Sequence, residues 1–371
     1  MSRDAAAGSS APFPYMRWAK RHLTGFSGMN LGMSGVPGLT AADVPFDREI
    51  GWWAPEGEYG DPALRALLAA HLGVPPEHLF VSAGASLANF LVYLSEARGG
   101  HVAVETPAYE ALLRLPAAVG ATVSTFARVE ASGWRLDPAS VRAAVRPGTK
   151  LLVVTDLHNP SGTRLHPDDL RLLVAEAERV DAVLLVDEVY LELDLERRTS
   201  AATLGPRVVV TNSLTKAHGL GGLRIGWIVA APDRIERIAG WNDLVCPAHP
   251  VPSIAVAKAY LPRAAAFLER TRAVVADRLD RADAWVRARG DVSWTRPHGG
   301  ITGFLRLPPG LDADRLSEHA QAKRGLSLVP GSFFQAPDHV RLSYGLPVPD
   351  LERALTALGS CLDDLRPVRP R

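Results

Sequence analysis

Five short runs of consecutive apolar residues recur along the chain: Val102-Ala103-Val104, Leu151-Leu152-Val153-Val154, Val183-Leu184-Leu185-Val186, Val208-Val209-Val210 and Trp227-Ile228-Val229. Runs without polar alternation are the pattern of strands buried on both faces, where neither side of the sheet meets water. Between most of them lie helix-like stretches at 86–97, 109–119, 137–145 and 167–180, some opened by Pro or Asp as helix starts should be. Strand and helix in alternation predict an α/β fold, a three-layer domain around a mainly parallel sheet.

Past about residue 242 the pattern changes. An Ala- and Arg-rich helical stretch covers roughly 252–289, and shorter strand candidates follow at 292–295, 303–307, 326–329 and 340–344, mixed with helices at 312–323 and 350–365. That mixture predicts a smaller α+β domain. The residues before about 50 carry no sheet of their own and are expected to pack on it as an arm. The expected division is therefore a large ligand-binding domain at 45–245, with 1–44 and 246–371 forming the arm and small domain. With ~100–200 residues per domain, 371 residues accommodate both.

Lys and Arg number 41 against 40 Asp and Glu, so no excess charge favours nucleic acid or an acidic membrane, and a small-molecule partner is expected. No run approaches the ~20 apolar residues of a membrane span, and the start of the chain lacks the apolar segment of a secretory signal. Cys246 and Cys361 show no paired spacing, which predicts neither disulfide nor structural zinc, and no metal is expected. These features together predict a cytoplasmic protein.

In open α/β sheets ligands bind beyond the carboxyl ends of the strands, and here those ends are polar. After Val154 comes Thr155-Asp156-Leu157-His158-Asn159-Pro160-Ser161-Gly162; after Val186 comes Asp187-Glu188-Val189-Tyr190; after Val210 comes Thr211-Asn212-Ser213-Leu214-Thr215-Lys216. Amide, carboxylate, phenol and amine thus reach one edge, a set that resembles a pyridoxal-phosphate site. Ser213-x-Thr215-Lys216 running to Arg224-x-Gly226, with the two other motifs in the right order, resembles the class I/II aminotransferases, pyridoxal-phosphate enzymes of fold type I. The resemblance extends from about residue 30 to the C-terminus.

The resemblance implies a role for each residue. Lys216 forms the Schiff base with the cofactor and, once freed, moves a proton at the substrate Cα. Asp187 pairs with the pyridine nitrogen, and Tyr190 and Asn159 hydrogen-bond the phenolic oxygen. Gly84, Ala85 and Ser86 at a helix start, with Ser213 and Arg224, hold the phosphate. Tyr59, in Gly57-Glu58-Tyr59-Gly60, matches the family tyrosine that reaches the phosphate from the neighbouring subunit, which implies a homodimer with shared active sites. Tyr109 stacks on the ring, Arg341 grips the substrate α-carboxylate, and the loop containing Ser34 and Gly35 approaches the substrate. Glu188 is expected to be structural.

The substrates implied are an L-amino acid and a 2-oxo acid. About 242–252, where dicarboxylate-specific members carry a second arginine, this chain offers Cys246 and His249 instead. Trp52, Trp53, Glu56 and Glu58 precede Tyr59 and are candidates for the side-chain pocket or for interface packing, as Trp294 is for the substrate mouth. Two alternatives stay open. One is another reaction on the same scaffold, elimination, decarboxylation or cyclisation, as in the capreomycidine synthases, whose Ser-Gly-Val wording is similar to Ser34-Gly35-Val36. The other is a non-catalytic sensor, although no basic helix-turn-helix pattern precedes the fold.

Overall fold

The computed structural model describes residues 13–46 and 61–366. In chain order the elements are α1 (Pro14–His22), β1 (Met29–Asn30), α2 (Pro62–Leu72), β2 (Leu79–Ser82), α3 (Ala85–Ala97), β3 (His101–Thr106), α4 (Glu110–Ala118), β4 (Thr122–Val129), β5 (Arg135–Leu136), α5 (Pro138–Ala144), β6 (Thr149–Thr155), α6 (Pro167–Arg179), β7 (Val183–Asp187), β8 (Val208–Ser213) and β9 (Gly226–Val229). There follow α7 (Pro232–Asn242), α8 (Val251–Tyr260), α9 (Ala264–Arg289), β10 (Thr302–Arg306), α10 (Ala313–Arg324), β11 (Leu326–Ser327), β12 (Val329–Pro330), β13 (His339–Ser343) and α11 (Val348–Asp364).

All five apolar runs are strands of one eight-stranded sheet, ordered β2-β9-β8-β7-β6-β3-β4-β5. The pairs joining β8, β7, β6, β3 and β4 are parallel, whereas β9 runs antiparallel to both β8 and β2, and β5 antiparallel to β4. Alternate residues face two separate cores. Leu152, Val154, Leu184 and Val186 pack on one side with Leu170 and Leu173 of α6. Leu151, Val153 and Leu185 pack on the other with Leu91 and Val92 of α3. Helices on both faces explain why the central strands show no polar alternation.

A second set of elements has its own apolar cluster, built from α9, α10, α11 and the antiparallel sheet β10-β13-β12. The arm reaches it: β1 pairs in parallel with β11, Met29 opposite Leu326. Three expectations are modified. The helical stretch at 252–289 is two helices, α8 and α9, separated by a 3-10 turn at Leu261–Arg263, because Pro262 lacks an N–H and its ring clashes with the preceding turn. The candidate at 292–295 makes a single bridge, Ser293 to Arg306, and its Trp294 indole instead donates to Asp283 of α9 at 2.9 Å. The run at 326–329 changes partner at Leu328, pairing first with β1 and then with β13.

The parallel register decides the geometry of the ligand edge. Thr155 lies opposite Asp187 and Asp187 opposite Thr211, so β6, β7 and β8 end level with one another. Among the described residues, no helix is long and apolar enough to cross a membrane.

Candidate active site

The level strand ends open into a cavity of about 1200 Å³. It is lined by Tyr109 after β3, Asn159 after β6, Asp187 and Tyr190 at the end of β7, and Ser213 and Lys216 at the end of β8. Gly35, Ala85, Ser86, Arg224 and Arg341 complete the lining among the residues singled out by sequence, and Gly84 immediately precedes Ala85. Tyr59, Trp52, Trp53, Glu56 and Glu58 lie outside the described residues. His249 and Trp294 are not among the described residues lining the cavity.

Lys216 is held from the opposite side of the cavity. Its Nζ donates to Ser34 Oγ at 2.7 Å, and its carbonyl accepts from Val36 N at 3.0 Å, which ties the arm loop to the lysine loop. Gly35 fits between them: a Cβ there would stand 3.4 Å from the Thr215 carbonyl and 3.7 Å from Lys216 Cα. Burial, with Arg341 nearby, pushes the Lys216 amine down to about 8, the Asp187 carboxylate opposing and Arg224 adding to the shift. With a pKa of about 8, roughly one-fifth of such amines are neutral and nucleophilic near pH 7.4, against well under a hundredth for an unperturbed lysine.

Asp187 is 5% exposed, and burial pushes its carboxyl up to about 6. Two donors counter that rise, Asn89 Nδ2 at 2.7 Å and the Val189 N–H at 3.2 Å. Asn89 is itself oriented, its Oδ1 accepting from Thr211 Oγ1 at 2.6 Å. One helical residue thereby bridges the Asp187 carboxylate at the end of β7 and the Thr211 hydroxyl on neighbouring β8. The Tyr190 hydroxyl donates to the Ser34 carbonyl at 2.7 Å, and burial raises its pKa.

The start of α3 offers an anion site. Gly84 has φ +85°, and no side chain caps the helix, so the first-turn N–H groups stay open toward the cavity. The Arg224 guanidinium lies against Gly84, in space that any Cβ would fill. It is anchored by its Nη2 to the Ala83 carbonyl and its Nη1 to the Gly221 carbonyl, both at 3.2 Å. Ser213 Oγ accepts from Thr215 N at 3.3 Å and shapes the turn between β8 and Lys216.

Arg341, on β13, is 1% exposed. Its Nη1 donates to Asn159 Oδ1 at 3.1 Å and its Nη2 to the Tyr15 hydroxyl at 3.0 Å, while Nε has no partner among the described residues. A buried guanidinium with an unused donor is incomplete without an anion. Tyr15 is fixed by its own N–H to Glu110 Oε2 at 2.7 Å and by edge contacts with Tyr109 and Phe333. Tyr109 thus joins the aromatic packing of α1 as well as lining the cavity.

Asn89, Tyr15 and the hydroxyl of Ser34 received no role from sequence. Their partners are 98, 326 and 182 residues away, and no local motif links such distances. Glu188 turns away from the cavity, its Oε1 accepting from Ala201 N at 2.7 Å.

A family model for class I and II aminotransferases matches residues 57–358. The chain belongs to this family. It is 31% identical over 311 residues to a capreomycidine synthase of Streptomyces vinaceus, a match spanning 81% of this chain and 78% of that protein. It is 32% identical over 309 residues to an aromatic amino acid aminotransferase of Mycobacteroides abscessus, 79% of this chain and 81% of that one. In structure it is similar to a PLP-dependent aminotransferase from Streptococcus suis, with a TM-score of 0.89 and 26% identity over 96% of this chain and 99% of the other. It has the fold-type I architecture that the resemblance of its motifs implied, around the mainly parallel sheet its strand pattern predicts.

Proposed function

We propose that the protein is an aminotransferase that moves an amino group between an L-amino acid and a 2-oxo acid, with pyridoxal phosphate attached at Lys216. The observation that carries this reading is the convergence of a buried amine of depressed pKa, a buried carboxylate and a buried, incompletely satisfied guanidinium on one cavity. When bound, the cofactor supplies the electron sink that protein side chains lack.

The residues fit that group. Asp187 would hold a proton on the ring nitrogen, Tyr190 and Asn159 would hydrogen-bond the phenolic oxygen, and Tyr109 would pack against the ring. The N–H groups of Ala85 and Ser86 would face the phosphate beside Gly84, whose own N–H donates to the Ser82 carbonyl at 2.8 Å, and Arg224 and Ser213 would complete that cup. Arg341 orients the substrate α-carboxylate, positioned by Asn159 and Tyr15, and the backbone at Gly35 closes over the substrate. Lys216 moves the proton at Cα, its amine kept in the cavity by Ser34.

Phe13, Tyr15, Met16, Ala19 and Leu23 line the cavity beside Lys20 and Thr24, and this mainly apolar stretch favours a bulky apolar or aromatic side chain. The similarity to an aromatic amino acid aminotransferase supports the same preference. The reading includes a cytoplasmic homodimer in which Tyr59 of the partner subunit completes the phosphate site. A second reading, cyclisation or elimination on an amino acid, is favoured by Ser34, a hydroxyl at 2.7 Å from the lysine amine, and by the similarity to a capreomycidine synthase.

A panel of amino acids mixed with the cofactor-loaded enzyme, without acceptor, separates the two. Transamination yields the aminated cofactor and one 2-oxo acid per site, reversed by adding a 2-oxo acid. Ammonia or a cyclised amino acid, with no aminated cofactor, contradicts it.

A further inference from the structure

Outside the cofactor cavity, three side chains from distant parts of the chain meet at one point. His71 lies in the last turn of α2, Glu192 in the 3-10 turn Leu191–Leu193 after β7, and His218 two residues beyond Lys216. Glu192 Oε1 is 2.6 Å from His71 Nε2, and Glu192 Oε2 is 2.7 Å from His218 Nε2. The three ligand-type atoms all lie within 4.8 Å of one another. His218 is fully buried, whereas the side chains of His71 and Glu192 keep 14% and 16% of their surface in contact with solvent.

We propose that His71, Glu192 and His218 form a binding site for a divalent transition-metal cation of the zinc class. Two imidazole nitrogens and a carboxylate are a ligand set that suits such ions, with water as a further ligand on the solvent-facing side. His218 has the outer partner that metal-bound histidines carry, its Nδ1 lying 2.8 Å from the Tyr260 hydroxyl. With that hydroxyl as acceptor, Nδ1 keeps the proton and the Nε2 lone pair faces Glu192. Bonds of ~2.0–2.1 Å in a tetrahedral site place ligand atoms roughly 3.3 Å apart. The two carboxylate–imidazole pairs therefore open by a little over half an ångström, and the two imidazole nitrogens, which now face different oxygens of Glu192, reach the same spacing by side-chain rotation.

Without a cation, protons do the bridging. Burial opposes a charge on His71, but the hydrogen bond and charge of Glu192 outweigh it and raise the imidazole pKa. Arg272 is a further charge near the triad; its Nε donates to the Glu192 carbonyl at 2.9 Å and its Nη1 is neutralised by Glu269 at 2.6 Å. A cation entering the triad displaces the bridging protons, so its affinity rises with pH. Nothing in this site depends on the reaction assigned to the cofactor cavity.

The test uses tag-free holoenzyme stripped with a chelator and titrated calorimetrically with zinc, with cobalt as a spectroscopic probe of coordination. One cation per chain is expected, with ligand-field bands of a nitrogen and oxygen site. Tyr260→Phe, which removes only the outer partner, weakens binding by about 10-fold to 100-fold. Glu192→Gln and His71→Gln abolish the site; the glutamine at 71 keeps a hydrogen-bonding side chain against Glu192 so that the fold is retained. A circular-dichroism melt of each variant checks that point. Absence of stoichiometric binding, or binding unchanged in both glutamine variants, shows the triad to be a hydrogen-bonded clamp alone and overturns the proposal.

Discussion

Asn89→Leu tests how the buried Asp187 carboxylate, proposed to pair with the cofactor ring nitrogen, is tuned. Leucine has nearly the shape of asparagine and excludes water, but it offers Asp187 no donor and Thr211 no acceptor. A hydrogen bond to a charged group contributes about 1.5–3 kcal/mol. At ~1.36 kcal/mol per pKa unit, its loss raises Asp187 by about one to two units. Burial already holds this carboxyl up at about 6, so the variant lies at roughly 7 to 8. The ionised fraction at pH 7 falls from about nine-tenths to between about one-half and one-tenth. Only the carboxylate pairs with a protonated ring nitrogen, so cofactor affinity falls as pH drops through the Asp187 pKa. Apo-protein is titrated with pyridoxal phosphate by tryptophan fluorescence across the range from about pH 5 to about pH 9. The acid limb of the affinity profile moves upward by about one to two units in the variant, and the two profiles converge at the alkaline end. An acid limb that stays in place refutes the tuning role of Asn89.

Arg341→Lys keeps the charge but cannot span Asn159, Tyr15 and a substrate carboxylate together. Losing one charge-assisted hydrogen bond of about 1.5–3 kcal/mol lowers kcat/KM by roughly 10-fold to 150-fold, and a change below about threefold in steady-state assays contradicts its role. Glu188, whose carboxyl is pushed up to about 8 by burial, is protonated at neutral pH. Because its folded pKa lies above the unfolded one, the folded chain binds the extra proton between about pH 4.5 and about pH 8 and loses stability as pH rises through that window. In Glu188→Gln the amide cannot ionise, so thermal melts of the variant decline less between neutral and alkaline pH than those of the parent; parallel curves contradict the assignment.

The layout of the large sheet was legible because β3, β6, β7 and β8 are buried on both faces and leave uninterrupted apolar runs. The edge was less so. β4 alternates exposed and buried positions, with Val123 and Val129 facing solvent, and β5 is only two residues long. The break at Pro262 carried a visible signal, a proline inside a helical pattern, that the surrounding Ala-rich periodicity masks. The lysine, aspartate, asparagine and tyrosine of the site could be read from strand-end motifs because their register follows directly from the parallel sheet. The contact of the Ser34 hydroxyl with Lys216, and the parts played by Asn89 and Tyr15, could not, since each partner is met only when the arm, α3 and α1 dock across the strand ends. The same limit hid the meeting of His71, Glu192 and His218, which approach from three separate elements.

Covalent attachment of pyridoxal phosphate at Lys216 is tested most directly by borohydride reduction of the holoenzyme followed by proteolysis and mass mapping. A single phosphopyridoxyl-modified peptide containing Lys216 is expected, with no modified peptide from Lys216→Ala. A modification on any other lysine, or trapping that persists in Lys216→Ala, contradicts the assignment.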